Sequence, residues 1–303
     1  MKFPHLLFRA MVTVILAAPL GLDAQAQIFT HDFTADPSGA PPSPFWNISS
    51  SVNNTFNVVN GTGLALTEAS SGKVNEEFGQ FTSPAIQLTT PGDYITFTAV
   101  FNSGNIAGNT GGLVAGLYNT MGTPGSANLA SSTLNTATSD DQGYFGIMGY
   151  NTSAGTSTKF YTRTVTAPAS TDSELGYYSQ MTAGTYSQIT GASFPASGNA
   201  NLANNTAYTL TYTVTKGASA NTINAEILQG ATVLDNWTST DASSTYNSFD
   251  ELVIGFYGKN AAINGNIESV AITDSIQAVP EPSTCVLAGV GLLSLAVWRR
   301  ARR

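Results

Sequence analysis

Among the residues able to do acid–base chemistry, the carboxylates stand out because several come in adjacent pairs: Glu76-Glu77, Asp140-Asp141 and Asp250-Glu251. Two carboxyls flanking a bond can act as general acid and as nucleophile or base, the arrangement that hydrolyses glycosides. Direct neighbours on a strand point to opposite faces, however, so no pair of this kind forms such a couple by itself. Asp140 and Asp141, followed by Gln142 in a polar stretch before a strand, also carry the hard oxygen donors that Ca2+ prefers. No repeated D-x-D-x-D-G pattern accompanies them, and solvated loop acids are the commoner reason for such a run.

Other catalytic chemistries fail by inventory. Between residues 27 and 279 there is one histidine, His31, and no cysteine, which removes Cys-His catalysis and His/Cys zinc sites. A Ser-His-Asp site would have to use His31 near the chain start, without a Gly-x-Ser-x-Gly elbow. The glycines of GYFGIMG (143–149) are followed by no helix pattern and no Lys-Ser/Thr pair, so they are not a phosphate-cradling loop. Sugar recognition needs aromatic faces and amides, and Tyr177, Tyr178, Tyr186, Trp237 and Tyr246 fall in or near irregular stretches. Trp237 is the candidate ligand-binding residue among them; the alternative is that these rings cap a core beneath long loops.

The elements that must position these groups are strands. In AYTLTYTVT (207–215), Tyr208, Leu210, Tyr212 and Val214 face one way and four threonines the other, the period of a strand with one wet face. YITFTAVF (94–101) alternates likewise. Further strands are expected at 55–59, 63–67, 112–118, 143–150, 159–165, 222–228, 251–258 and 266–273, punctuated by turn-rich stretches such as DPSGAPPSP (36–44) and KGASAN (216–221). No segment of helical period reaches useful length between them, and no fixed-period repeat appears. The expected fold is all-β, a two-layer β-sandwich over residues 27–276.

Charge narrows the partners. Residues 27–279 hold five basic and 17 acidic groups, a net charge of −12, so nucleic acid, whose binding rests on clustered Lys and Arg, is excluded as a partner class. Cations and neutral polymers such as polysaccharides remain. Asn-x-Ser/Thr triplets, as at Asn47 and Asn236, follow from an Asn- and Thr-rich composition and receive no role.

Both ends carry addresses. Lys2 and Arg9, the apolar run from Ala10 to Leu20, and Ala24-Gln25-Ala26 form a signal peptide over residues 1–26, cut by signal peptidase after Ala26 once the Sec machinery has exported the chain. The apolar run is too short for an N-terminal anchor. At the other end, the 14 residues from Cys285 to Trp298 would make a helix of roughly 21 Å, short of a hydrocarbon core of about 30 Å. Arg299, Arg300, Arg302 and Arg303 extend it by reaching the headgroups and hold that end in the cytoplasm.

Two resemblances follow. The order IFTHDF, Phe45-Trp46, GLALT, a long middle, AYTLTYTVT, TINAEIL, FDELVIGFYG and IESVAIT resembles the concanavalin A-like jelly-roll domains of secreted bacterial proteins. Glycosidases of that architecture carry a Glu-x-Asp-x-x-Glu strand motif that this chain lacks, so the resemblance implies a non-enzymatic domain or a lectin-like module rather than a polysaccharide-active enzyme. VPEPST, then an apolar helix, then a terminal arginine cluster over residues 279–303 resembles the PEP-CTERM sorting signal, with Pro280, Glu281 and Pro282 in the namesake positions. That resemblance implies recognition by exosortase, brief anchoring in the inner membrane, and release to a cell surface or an exopolysaccharide or biofilm matrix.

Overall fold

The structure, a computed structural model, describes residues 26–49, 54–68, 73–106, 109, 111–125, 129–130, 140–149, 158–164, 186–189, 201–242, 246–258 and 262–276. Gln25–Gln277 form one compact unit. Residues 1–25 and the whole sorting tail lie outside the described residues, and among the described ones no helix is long and apolar enough to cross a membrane.

Alternation of apolar and polar residues builds the first sheet. Its path runs β15 (Thr232–Asp241), β14 (Asn221–Gln229), β13 (Ala207–Lys216), β7 (Tyr94–Asn102), β18 (Ile263–Asp274), β4 (Gly63–Glu68) and β3 (Thr55–Val59). β1 (Ala26–Asp32) also pairs with β18, and all these pairings are antiparallel. Along β7 and β14 every second residue is buried, so Ile95, Phe97, Ala99 and Phe101 face the interior while threonines face out. Each interior Phe, Ile or Leu contributes roughly 1.5–3 kcal/mol relative to exposure.

Strands without alternation make the second sheet. Its order is β12 (Tyr186–Gln188), β11 (Lys159–Arg163), β10 (Gln142–Gly149), β8 (Gly112–Asn119), β17 (Glu251–Gly258), β5 (Lys73–Gln80), β2 (Phe45–Ser49) and β9 (Leu129–Ala130). β8, β10 and β17 are buried almost throughout, on both faces, as continuous apolar runs require. One face, with Leu113, Leu117, Tyr144, Leu252 and Phe256, joins the core shared with the first sheet. The other carries a separate cluster of Val74, Phe78, Val114, Tyr118, Phe145, Ile147, Tyr161 and Val253, in which the Phe145 and Tyr161 rings stack at 4.9 Å. A small third ladder pairs β6 (Ile86–Gln87) with β16 (Ser248–Phe249).

The expected two-layer all-β sandwich is therefore what the chain forms, and the strands anticipated at 55–59, 112–118, 222–228 and 251–258 fall within one residue of β3, β8, β14 and β17. One local expectation is corrected. Trp237 lies in the middle of β15, not in an irregular stretch, and its ring is fully buried in the shared core. It alternates inward with Asp235 and Ser239, which places a large ring where burial, not ligand contact, uses it.

Candidate functional site

Two places gather polar chemistry. The first is on the outer face of the second sheet, where register aligns Glu251 of β17, Tyr118 of β8, Gly143 of β10 and Arg163 of β11 in one row. Gly143 belongs there for a steric reason: a Cβ would stand 2.1 Å from the Leu117 carbonyl oxygen. Asp141, two residues before Gly143, shares its face. Glu251, Arg163 and Asp141 are fully buried, and the Arg163 Nη1 donates to the Asp141 backbone carbonyl at 2.5 Å.

None of the four carboxyl oxygens of Asp141 and Glu251 has a hydrogen-bond partner among the described residues, so burial falls on both carboxyls without a donor to offset it. Burial pushes the Asp141 carboxyl up to about 8, against the pull of the Arg163 guanidinium. Glu251 is raised as well, by burial first and then by the neighbouring Asp141 charge. The members of two sequence pairs thus meet across strands, while within each pair the neighbours diverge. Asp250 takes the Thr120 amide and hydroxyl, each at 2.8 Å, and Asp140 accepts from the Thr123 hydroxyl at 2.9 and 3.0 Å. Glu77 points to the other face from Glu76 and is fully buried, so desolvation raises its pKa well above the ordinary carboxylate range.

This cluster cannot hydrolyse a glycoside, because carboxyls sealed from solvent reach no substrate oxygen. Nor do Asp140 and Asp141 come together as a calcium pair: Asp140 faces Thr123, whereas Asp141 is fully buried against the sheet. Among the described residues no group of three or more His, Cys, Asp or Glu side chains could hold a metal ion.

The second place is an open pocket of about 290 Å³ near the β6–β16 ladder. Amides line it, from Gln87, Asn119, Gln142 and Asn247, together with the Ser248 hydroxyl. Met121 and Tyr246 supply its apolar surface. Beneath it, Asn221 Nδ2 donates to the Tyr144 hydroxyl at 3.0 Å, the Tyr246 carbonyl at 2.9 Å and Asn247 Oδ1 at 3.1 Å, and the Tyr144 hydroxyl donates to Asp241 at 3.1 Å.

The other sequence candidates are placed apart. His31 bonds Asp36 at 2.8 Å and packs its ring against Phe33 and Phe45, a structural setting near the start of the domain. Tyr186 packs edge-on to Tyr161 at 5.9 Å, and Tyr246 borders the pocket. Ala26 is the first residue of β1, paired with Asp274. Tyr177, Tyr178, Ala24, Pro280, Glu281, Pro282 and the four terminal arginines lie outside the described residues. The pocket residues went unsingled because Asn and Gln are common throughout this chain. The buried cluster did leave a signal: Arg163 is the sole arginine between residues 27 and 279 and stands in an apolar strand.

Comparison with known proteins bears on the part of the chain that geometry does not reach. Residues 278–303 match the PEP-CTERM protein-sorting motif. The tail is thus an export-linked sorting motif, and the chain is an exported protein. No curated protein matches the chain in sequence. Similar solved structures include the metal-free exoplasmic/lumenal domain of VIP36, at 11% identity, TM-score 0.44, with 86% of this chain and 96% of that chain covered. Lectin II from Ulex europaeus is similar at 9% identity and TM-score 0.42 over 82% and 99%, and the metal-free carbohydrate recognition domain of Emp46p at 12% and 0.40 over 76% and 88%. The calcium and mannose found in other VIP36 forms belong to VIP36.

Proposed function

We propose that this chain is a non-catalytic surface or matrix protein that associates with exopolysaccharide after sorting through its tail. The observation that carries the proposal is the sorting motif at residues 278–303, whose apolar run and arginine cluster are ordered as a membrane stop. In this reading Sec exports the chain and signal peptidase cuts after Ala26, with Ala24 and Ala26 as the small residues it reads. That cut leaves β1 beginning at Gln27. Exosortase then recognises Pro280, Glu281 and Pro282 while Arg299, Arg300, Arg302 and Arg303 hold the cytoplasmic end, and processing releases the sandwich to the surface. A lectin-like role is the second reading; the amide-lined pocket favours it over an enzyme, since its lining among the described residues holds no acid or base.

Mass spectrometry of the mature protein from its native host tests this. The expected species begins at Gln27 and lacks Arg303, and Glu281→Ala leaves the tail attached. A mature protein that keeps Arg303 overturns the processing step.

A further inference from the structure

We infer that the pocket beside the β6–β16 ladder binds one residue of a neutral polysaccharide, directly and without calcium. The ligand class follows from what the lining offers. Ser248 Oγ accepts from Gln87 Nε2 at 2.5 Å and from Asn119 Nδ2 at 2.6 Å, which occupies both lone pairs and leaves its hydroxyl proton to donate outward. Gln87, its nitrogen engaged, keeps its carbonyl oxygen as an acceptor. A donor and an acceptor side by side match a vicinal diol, in which each hydroxyl both gives and takes a hydrogen bond.

Charge excludes the obvious rivals. Among the described residues no Lys or Arg lines the pocket, and the domain's −12 charge repels anions such as phosphate or uronate. No carboxylate among the described residues lines it either, so the described lining offers a divalent cation no charged ligand to bridge protein and sugar.

Met121 supplies the apolar part. Its side chain is 55% exposed, unusual for a large hydrophobic residue in this domain, and its backbone sits at φ 52°, in the left-handed region that non-glycine residues rarely adopt. Asn119 Oδ1 holds it there by accepting the Met121 amide at 2.8 Å. Strain retained at an exposed apolar residue beside a polar pocket is the pattern of a binding platform. With the Tyr246 ring it gives the C–H face of a sugar two apolar surfaces. The Asn221–Tyr144–Asp241 network below fixes Asn247 and Tyr246 before any ligand arrives, and such pre-ordering reduces the cost of binding. A volume of about 290 Å³ is at the small end of ligand sites, enough for a single ring.

The inference uses the matrix reading only for the source of the sugar. Saturation-transfer NMR on the full-length chain, with neutral gluco-, galacto- and manno-oligosaccharides and with polygalacturonate, tests it. At least one neutral sugar should bind, unaffected by EDTA, and polygalacturonate should not. Met121→Gly removes the platform while relieving the backbone, so binding should weaken at least about tenfold with an unchanged or higher Tm. Gln87→Ala, at an exposed position, should weaken it with the fold intact. Absence of any neutral-sugar signal, loss of binding in EDTA, or full binding by both variants overturns the inference. None of these results bears on tail processing, which the mature mass reports separately.

Discussion

Glu251→Gln should make the domain less sensitive to rising pH. In the folded chain the Asp141 carboxyl is raised from 3.8 to about 8 and Glu251 is raised above 4.5, chiefly by burial. The folded state therefore holds protons that the unfolded chain has already released, so stability is full below about pH 4 and declines as pH climbs toward 8. With the Asp141 proton retained, the slope is about 1.4 kcal/mol per pH unit, or roughly 4 kcal/mol from about pH 5 to pH 8. For a domain near 250 residues that is roughly 8–16 °C in Tm. The glutamine amide supplies a permanent donor to Asp141, which then ionises beside Arg163 in both states and takes up no proton on folding. Thermal melts by circular dichroism across that range should show variant and wild type near each other at the acid end, with the variant ahead by roughly 4 kcal/mol at the alkaline end. Glu77, also raised, adds a slope of the same sign to both proteins and cancels in the difference. A difference that stays flat with pH would refute the raised carboxyl pKa behind this reasoning.

Two structural predictions accompany it. Trp237→Ala removes the largest fully buried side chain among the described residues and should lower unfolding free energy by about 3–5 kcal/mol in chemical denaturation, a core effect distinct from any selective loss of sugar binding. Gly143→Ala sets a Cβ 2.1 Å from the Leu117 carbonyl, a backbone atom that cannot swing aside, so it should cost about 1–3 kcal/mol and separate Arg163 from the row it completes, lowering Tm and altering near-UV ellipticity from Tyr118.

The strands that face water on one side were legible in the sequence. β7, β13 and β14 alternate because one face meets solvent and the other the core, and that difference is written into successive residues. β8, β10 and β17 were also found, since continuous apolar runs with glycine suit little else, yet nothing local says that both of their faces are covered. β5 escaped notice because its Glu76-Glu77 centre resembles a solvated segment, although both side chains are buried. β15 escaped because its outward residues are polar and its inward Asp235, Ser239 and Asp241 break the apolar rhythm around Trp237.

By itself, then, the sequence determined the fold class, the acidic and cysteine-free character of the domain, and the sorting tail, because each is a property of residue order along one short stretch or of composition summed over all of it. Tertiary structure alone decided which carboxyls meet. Asp141 and Glu251 are 110 positions apart and become neighbours only through the β17–β8–β10 register, just as Gln87 and Ser248 reach each other across the β6–β16 ladder. Sheet pairing brings distant residues together at spacings of about 5 Å between strands, and no local pattern of residue types encodes that partnership.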